Sequence, residues 1–134
     1  MDTDTLVEHL TDDGQKLVEE LPQRGFEVTT AFWLKASEDG KWSFYIVTPI
    51  VDAEGIAKAY RLLHPLVRAR PQPAWIEPLK IKLIGPSNPI ARDALAIPGR
   101  TPGPSAYPIR WGGKILGNLS VEEVLLYPMP ATVP

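Results

Sequence analysis

Phe26 to Val51 reads FEVTTAFWLKASEDGKWSFYIVTPIV, two apolar runs on either side of a turn signature. Ser37-Glu38-Asp39-Gly40-Lys41 can close a three-residue loop, with a type I turn through Glu38 and Asp39 and Gly40 in the left-handed region. That loop pairs Ser37 with Lys41. Leu34 then faces Phe44, Phe32 faces Ile46 and Val28 faces Ile50 on one side of the hairpin, with Thr30 and Thr48 between them. This side is the expected core face, where Phe32, Leu34, Phe44 and Ile46 are buried together. The other side carries Lys35 opposite Ser43, Trp33 opposite Tyr45 and Ala31 opposite Val47. Paired aromatics beside a lysine mark a sheet face that is covered by something or used to bind something.

Around the hairpin, residues 12–23 predict a helix capped by Asp12 or Asp13, with Leu17, Val18 and Leu21 as its apolar stripe and Gly25 as its stop. Asp52 is expected to cap a second helix through Ile56, Ala59, Tyr60, Leu63 and Val67, kinked or ended by Pro65 near His64. Pro71-Gln72-Pro73 breaks the chain. Leu79 to Ile84 alternates apolar residues with Lys80 and Lys82, which predicts a strand with one buried side. Asn88 and Pro89 open a short helix, Pro89 to Ala96. Residues 98–108 form a proline-rich loop. Gly112-Gly113 is a hairpin signal between Tyr107–Trp111 and Lys114–Leu116. Val121 to Tyr127 fits a strand better than a capped helix, and residues 128–134 form a short tail.

Consecutive strands joined by tight turns imply an α+β fold: one domain over residues 1–134, a two-layer sandwich of a largely antiparallel sheet with its helices on one face. A ferredoxin-like order needs a helix between the first two strands, which the direct hairpin excludes. The chain of 134 residues is long enough to bury roughly two-thirds of its unfolded surface without staples. With no cysteine, disulfides, thiolate catalysis and cysteine-held zinc are excluded, and a reducing compartment is permitted. The formal charge of −2 argues against strong nonspecific binding to nucleic acid or anionic membrane. No apolar run approaches the roughly 18 residues of a membrane span, and the acidic start lacks the order of a signal peptide. A cytoplasmic protein is the expectation.

Known chemical spacings are missing. His9 and His64 are far apart, and His64 suits a helix end. Asp52, Glu54 and Glu77 with Lys80 faintly resemble a magnesium-dependent nuclease set, but Glu77 and Lys80 would point to opposite faces of a strand. Gly99, Gly103, Gly112, Gly113 and Gly117 match no phosphate loop, and Ser105 and Ser120 sit in no nucleophile elbow. No metal or cofactor is expected.

The candidate binding residues are therefore Trp33, Lys35, Tyr45, Lys80 and Lys82, with the lysines beside the aromatic pair if the Leu79 strand adjoins the hairpin. They point first to a noncatalytic interaction module that binds a protein partner or a second copy, and next to a weak binder of single-stranded nucleic acid. The alternative is an enzyme with an anionic-substrate site near residues 98–110, where Arg92, Arg100 and Arg110 could gather.

Gly25-Phe26, Ala31-Phe32-Trp33-Leu34, Trp42 to Ile46, Ala59-Tyr60-Arg61 and Tyr127-Pro128 together resemble a group of small bacterial proteins of unknown function, over most of the chain. The resemblance implies a stand-alone bacterial domain and supplies no catalytic residue, cofactor or partner.

Overall fold

A computed structural model describes residues 8–38, 40–70, 76, 80–96 and 109–127. Their order is α1 (Glu8–Gln23), β1 (Thr30–Ala36), β2 (Trp42–Val47), α2 (Pro49–Glu54), α3 (Ile56–Arg68), β3 (Ile81–Ile84), α4 (Pro89–Ala96), β4 (Ile109–Leu116) and β5 (Leu119–Leu126). The fold is α+β. Its five strands form one sheet in the order β3-β2-β1-β5-β4.

The hairpin forms where expected, with Gly40 left-handed at φ 65°, but its register differs by one residue. The Ala36 N–H bonds to the Lys41 carbonyl, and Gly40 N–H to the Ala36 carbonyl. The loop thus spans residues 37–40 rather than three residues. Trp33 faces Phe44, Phe32 faces Tyr45 and Ala31 faces Ile46. Because side chains alternate, this slip moves the two strands' partners to different faces. Phe32 and Leu34 are buried with Tyr45 and Val47 on one side; Phe44 and Ile46 are buried with Trp33 and Ala31 on the other.

The sheet is also mixed rather than largely antiparallel. β1–β2, β1–β5 and β4–β5 are antiparallel, whereas β3 runs parallel to β2. Two strands joined by helices, as β2 and β3 are by α2 and α3, can return in the same direction, because the crossover supplies the length a parallel connection needs. Gly112 and Gly113 lie inside β4, and the turn falls at Gly117, φ 60°. Glu122 is the extra residue where β5 slips against β1 between Lys35 and Ala36, a β-bulge.

Both faces of the sheet are packed. Leu17, Val18 and Leu21 of α1 and Ala59, Leu63 and Val67 of α3 cover the Trp33–Phe44 face. Ala91 and Ala94 of α4 lie on the Phe32–Tyr45 face with Leu116, Val121, Val124 and Leu126. Helices confined to one face are thus not found.

Helix boundaries follow local chemistry. α1 ends in a Schellman arrangement: Phe26 N–H reaches the Leu21 carbonyl, Gly25 N–H reaches that of Pro22, and Gly25 takes φ 85°. Gly14 does not interrupt α1, and Asp13 lies buried within it instead of capping it. Thr48, not Asp52, caps α2 through Ile50 N–H. Gly55 separates α2 from α3, and Pro65 sits inside α3, which runs on to Arg68. Asn88 caps α4 as expected, its side-chain oxygen accepting from Ile90 N–H at 2.8 Å.

Two buried polar links join α1 to the rest. Trp33 Nε1–H donates to Tyr127 Oη at 2.8 Å, and the Tyr127 hydroxyl donates to the Thr11 carbonyl at 2.6 Å. Arg70, just beyond α3, is bidentate to Asp13 at 2.6 and 3.0 Å and also reaches Glu20. Asp13 in turn accepts the Ile76 N–H.

Burial pushes the Tyr127 phenol well above its ordinary range, opposed by the bond from Trp33 and reinforced by Asp12 and Asp13. The folded state therefore favours the neutral phenol. Its contribution to stability is fully present below about pH 10, the unfolded value, and falls as pH rises through the folded one. Spectrophotometric titration near 295 nm, read as the difference between the native chain and Tyr127→Phe, should show the Tyr127 phenol ionising only as the protein unfolds. Ordinary titration of that phenol in the folded protein would contradict this.

Candidate functional site

The one-residue slip separates the five residues expected to bind. Trp33 is buried at 2% exposure and Tyr45 at 7%, in the two different clusters. They make no shared aromatic face. The Trp33 indole is committed to Tyr127 and packs at 5.0 Å from Phe44, while Tyr45 stacks on Phe32 at 5.3 Å. Lys35, half-buried, pairs with Glu122 at 3.4 Å. Lys82 is exposed, faces Tyr45 across the β2–β3 pair and holds its ammonium 5.8 Å from the Tyr45 ring centre. Lys80 is exposed just before β3. Of the five, only Lys80 and Lys82 are exposed.

The acidic residues weighed for metal binding have structural partners. Asp52 accepts from both the backbone and the hydroxyl of Ser87, with Gly85 leaving room for its carboxylate. Glu54 pairs with Lys58. Among the described residues no group of three His, Asp or Glu could hold a metal ion, and no buried side-chain nitrogen or oxygen lacks a hydrogen-bond partner. Glu77, Arg100, Ser105 and residues 98–108 lie outside the described residues. A cleft of about 330 Å³ is lined by Asn88, Pro89, Ile90, Asn118 and Leu119. It has no titratable lining, and Asn88 is already spent on its cap.

A separate cationic surface lies on α3, which covers the face of the sheet opposite to the one that carries Lys82. α3 reads IAKAYRLLHPLVR and contains no acid. Its buried residues Ala59, Leu63 and Val67 recur every fourth position, which turns Lys58, Arg61, His64 and Arg68 outward. Arg61 and Arg68 are seven residues apart, roughly 10 Å along the axis. The helix is fixed against β3 by Tyr60, whose hydroxyl accepts from Leu83 N–H at 3.0 Å and donates to the Ile81 carbonyl at 3.4 Å. The exposed His64 ring lies 5.6 Å from that of Tyr60.

β3 is the sheet's edge strand, and lysines on such an edge discourage pairing with a stray strand, as does the Tyr60 hydroxyl on its backbone. Edge protection accounts for Lys80 and Lys82 but not for Arg61 and Arg68 on the neighbouring helix. Among the described residues Arg61, Arg68, Lys80 and Lys82 form no ion pair. The exposed Lys58–Glu54 pair offsets only one charge.

Reading strand by strand misses this surface. Its signal in the sequence is a charge imbalance along the chain: residues 55–114 hold ten Lys and Arg against two acids, Glu77 and Asp93. The near-zero total conceals that concentration.

No protein-family model, curated protein or solved structure matches the chain. No helix among the described residues is long and apolar enough to cross a membrane.

Proposed function

We propose that the protein is a noncatalytic, cytoplasmic binding module that holds an anionic partner against the outer face of α3. Arg61 and Arg68 supply planar, multidentate donors. The observation that carries this is the acid-free α3, with Arg61, His64 and Arg68 on its exposed face. Exposed charges of this kind contribute little to folding, so their clustering is better accounted for by a partner than by stability. The formal charge of −2 opposes such a partner only weakly, because a local field steers association whatever the total.

The test is elution from immobilised heparin. The native chain should be retained and released by added salt, because screening weakens exposed charge pairs. Arg61→Glu combined with Arg68→Glu should abolish retention while leaving the melting temperature within a few degrees. Lys16→Glu with Arg24→Glu, changing exposed α1-side cations, should leave retention nearly intact. Equal loss from both pairs, or no retention of the native chain, would overturn the proposal.

A further inference from the structure

We infer that the anionic partner is an acidic protein segment that carries apolar residues on the same face, an inference that rests on the α3 surface proposed above and names its occupant. The outer face of α3 divides along its length. At roughly 3.6 residues per turn Arg61 and Arg68 fall almost on one line, with His64 about 60° to one side and Pro65 about 40° to the other. Leu62 lies about 60° beyond Pro65. It is 43% exposed, and Pro65 is exposed as well. Lys58 shares that flank, and its charge is met by Glu54 at 2.7 Å. One side of the outer face is therefore cationic, and the adjoining side is partly apolar and carries no net charge.

That division decides between classes of polyanion. A firm grip on a phosphate chain draws on about 6–10 charge contacts, whereas α3 offers two guanidiniums without an ion pair among the described residues and the exposed His64. Leu62 and Pro65 give such a chain nothing to bury, and the exposed Glu54 beside Lys58 repels it. A protein segment uses both sides of the face. Its carboxylates take the guanidiniums, which suit two parallel hydrogen bonds each, and an apolar side chain covers Leu62 and Pro65. The result is an apolar centre bordered by arginines, the anatomy of a protein interface. α3 is 13 residues long, roughly 20 Å, so a short helix can lie along it. The segment that fits has carboxylates about 10 Å apart, seven residues in a helix, with an apolar residue between them.

The experiment is fluorescence anisotropy at low salt with three labelled probes of the same charge: a helical peptide with glutamates and leucines together on one face, the same peptide with each leucine replaced by glutamine, and a short single-stranded oligonucleotide. The leucine peptide should bind tightest, roughly tenfold more tightly than the glutamine peptide, because it alone buries Leu62. Leu62→Gln should remove most of that margin and leave binding of the glutamine peptide unchanged, a separation that mere loss of fold would not produce. Arg61→Glu with Arg68→Glu should weaken both peptides. Equal binding of the two peptides, no binding of either, or an oligonucleotide bound more tightly than the leucine peptide would overturn the inference. Retention of the native chain on heparin would then leave the α3 surface standing, and its absence would overturn both.

Discussion

Gly14→Ala is expected to destabilise the protein by about 2 kcal/mol, although alanine is the better helix former by about 1 kcal/mol. Gly14 lies in the interior of α1, so propensity alone gives the opposite sign. Packing decides: a β-carbon there would run into the Tyr127 hydroxyl, with Tyr127 Cζ at 2.9 Å and Trp33 Nε1 at 3.0 Å. Neither ring can retreat, because Trp33 and Tyr127 are each 2% exposed and are tied to one another and to the Thr11 carbonyl. Overpacking at a filled site typically costs about 1–3 kcal/mol, and breaking a buried hydrogen-bond chain adds to it. Urea denaturation of Gly14→Ala, Tyr127→Phe and the double variant would measure this. Removing the hydroxyl should relieve part of the clash, so the two losses should be less than additive. A Gly14→Ala protein as stable as the native one would show that α1 does not approach the sheet as closely as described.

Arg70→Met should cost about 3–5 kcal/mol, because it leaves Asp13 as a buried charge without its partner. Asp13 is 3% and Arg70 7% exposed, and the bidentate contact at 2.6 and 3.0 Å joins α1 to the segment after α3. Replacing both residues, as Asp13→Leu with Arg70→Met, should recover much of that loss, since an apolar pair of similar volume avoids the desolvation penalty. Recovery would be incomplete because Ile76 N–H loses its acceptor. Additive losses in the double variant would mean that the two side chains do not act as a pair. This bridge was not legible in the sequence. Asp13 and Arg70 are 57 residues apart, and an aspartate at the start of a helical pattern is ordinarily a cap.

Other elements were legible because their cause is local. Gly40 had to be left-handed in the hairpin turn, Gly25 ended α1, and Asn88-Pro89 opened α4, each through a backbone demand that few residues can meet. The register was not legible in the same way. A loop of three residues and one of four fit Ser37-Glu38-Asp39-Gly40 about equally well, and the choice reverses both faces. Ala31-Phe32-Trp33-Leu34 carried a warning: four apolar residues in succession suit a central strand covered on both sides better than a strand with one open face. β3 was seen as a strand, but its parallel pairing depends on the length of the α2–α3 crossover, which short-range patterns do not weigh. None of the five residues first singled out for binding lies on α3. Arg61, His64 and Arg68 make up its cationic face, and their three- and four-residue spacing was visible once α3 was accepted as a helix continuing through Pro65.

Whether that surface is where the protein binds is tested most directly by nuclear magnetic resonance. Amide shifts of the isotopically labelled chain would be followed during titration with a short single-stranded oligonucleotide and, separately, with polyglutamate. The account expects progressive, salt-sensitive shifts at residues 58–68 with at least one of the two ligands, and little change in α1 or the β4–β5 turn. Shifts centred on α4, α1 or the β4–β5 turn, with residues 58–68 unmoved, would contradict it.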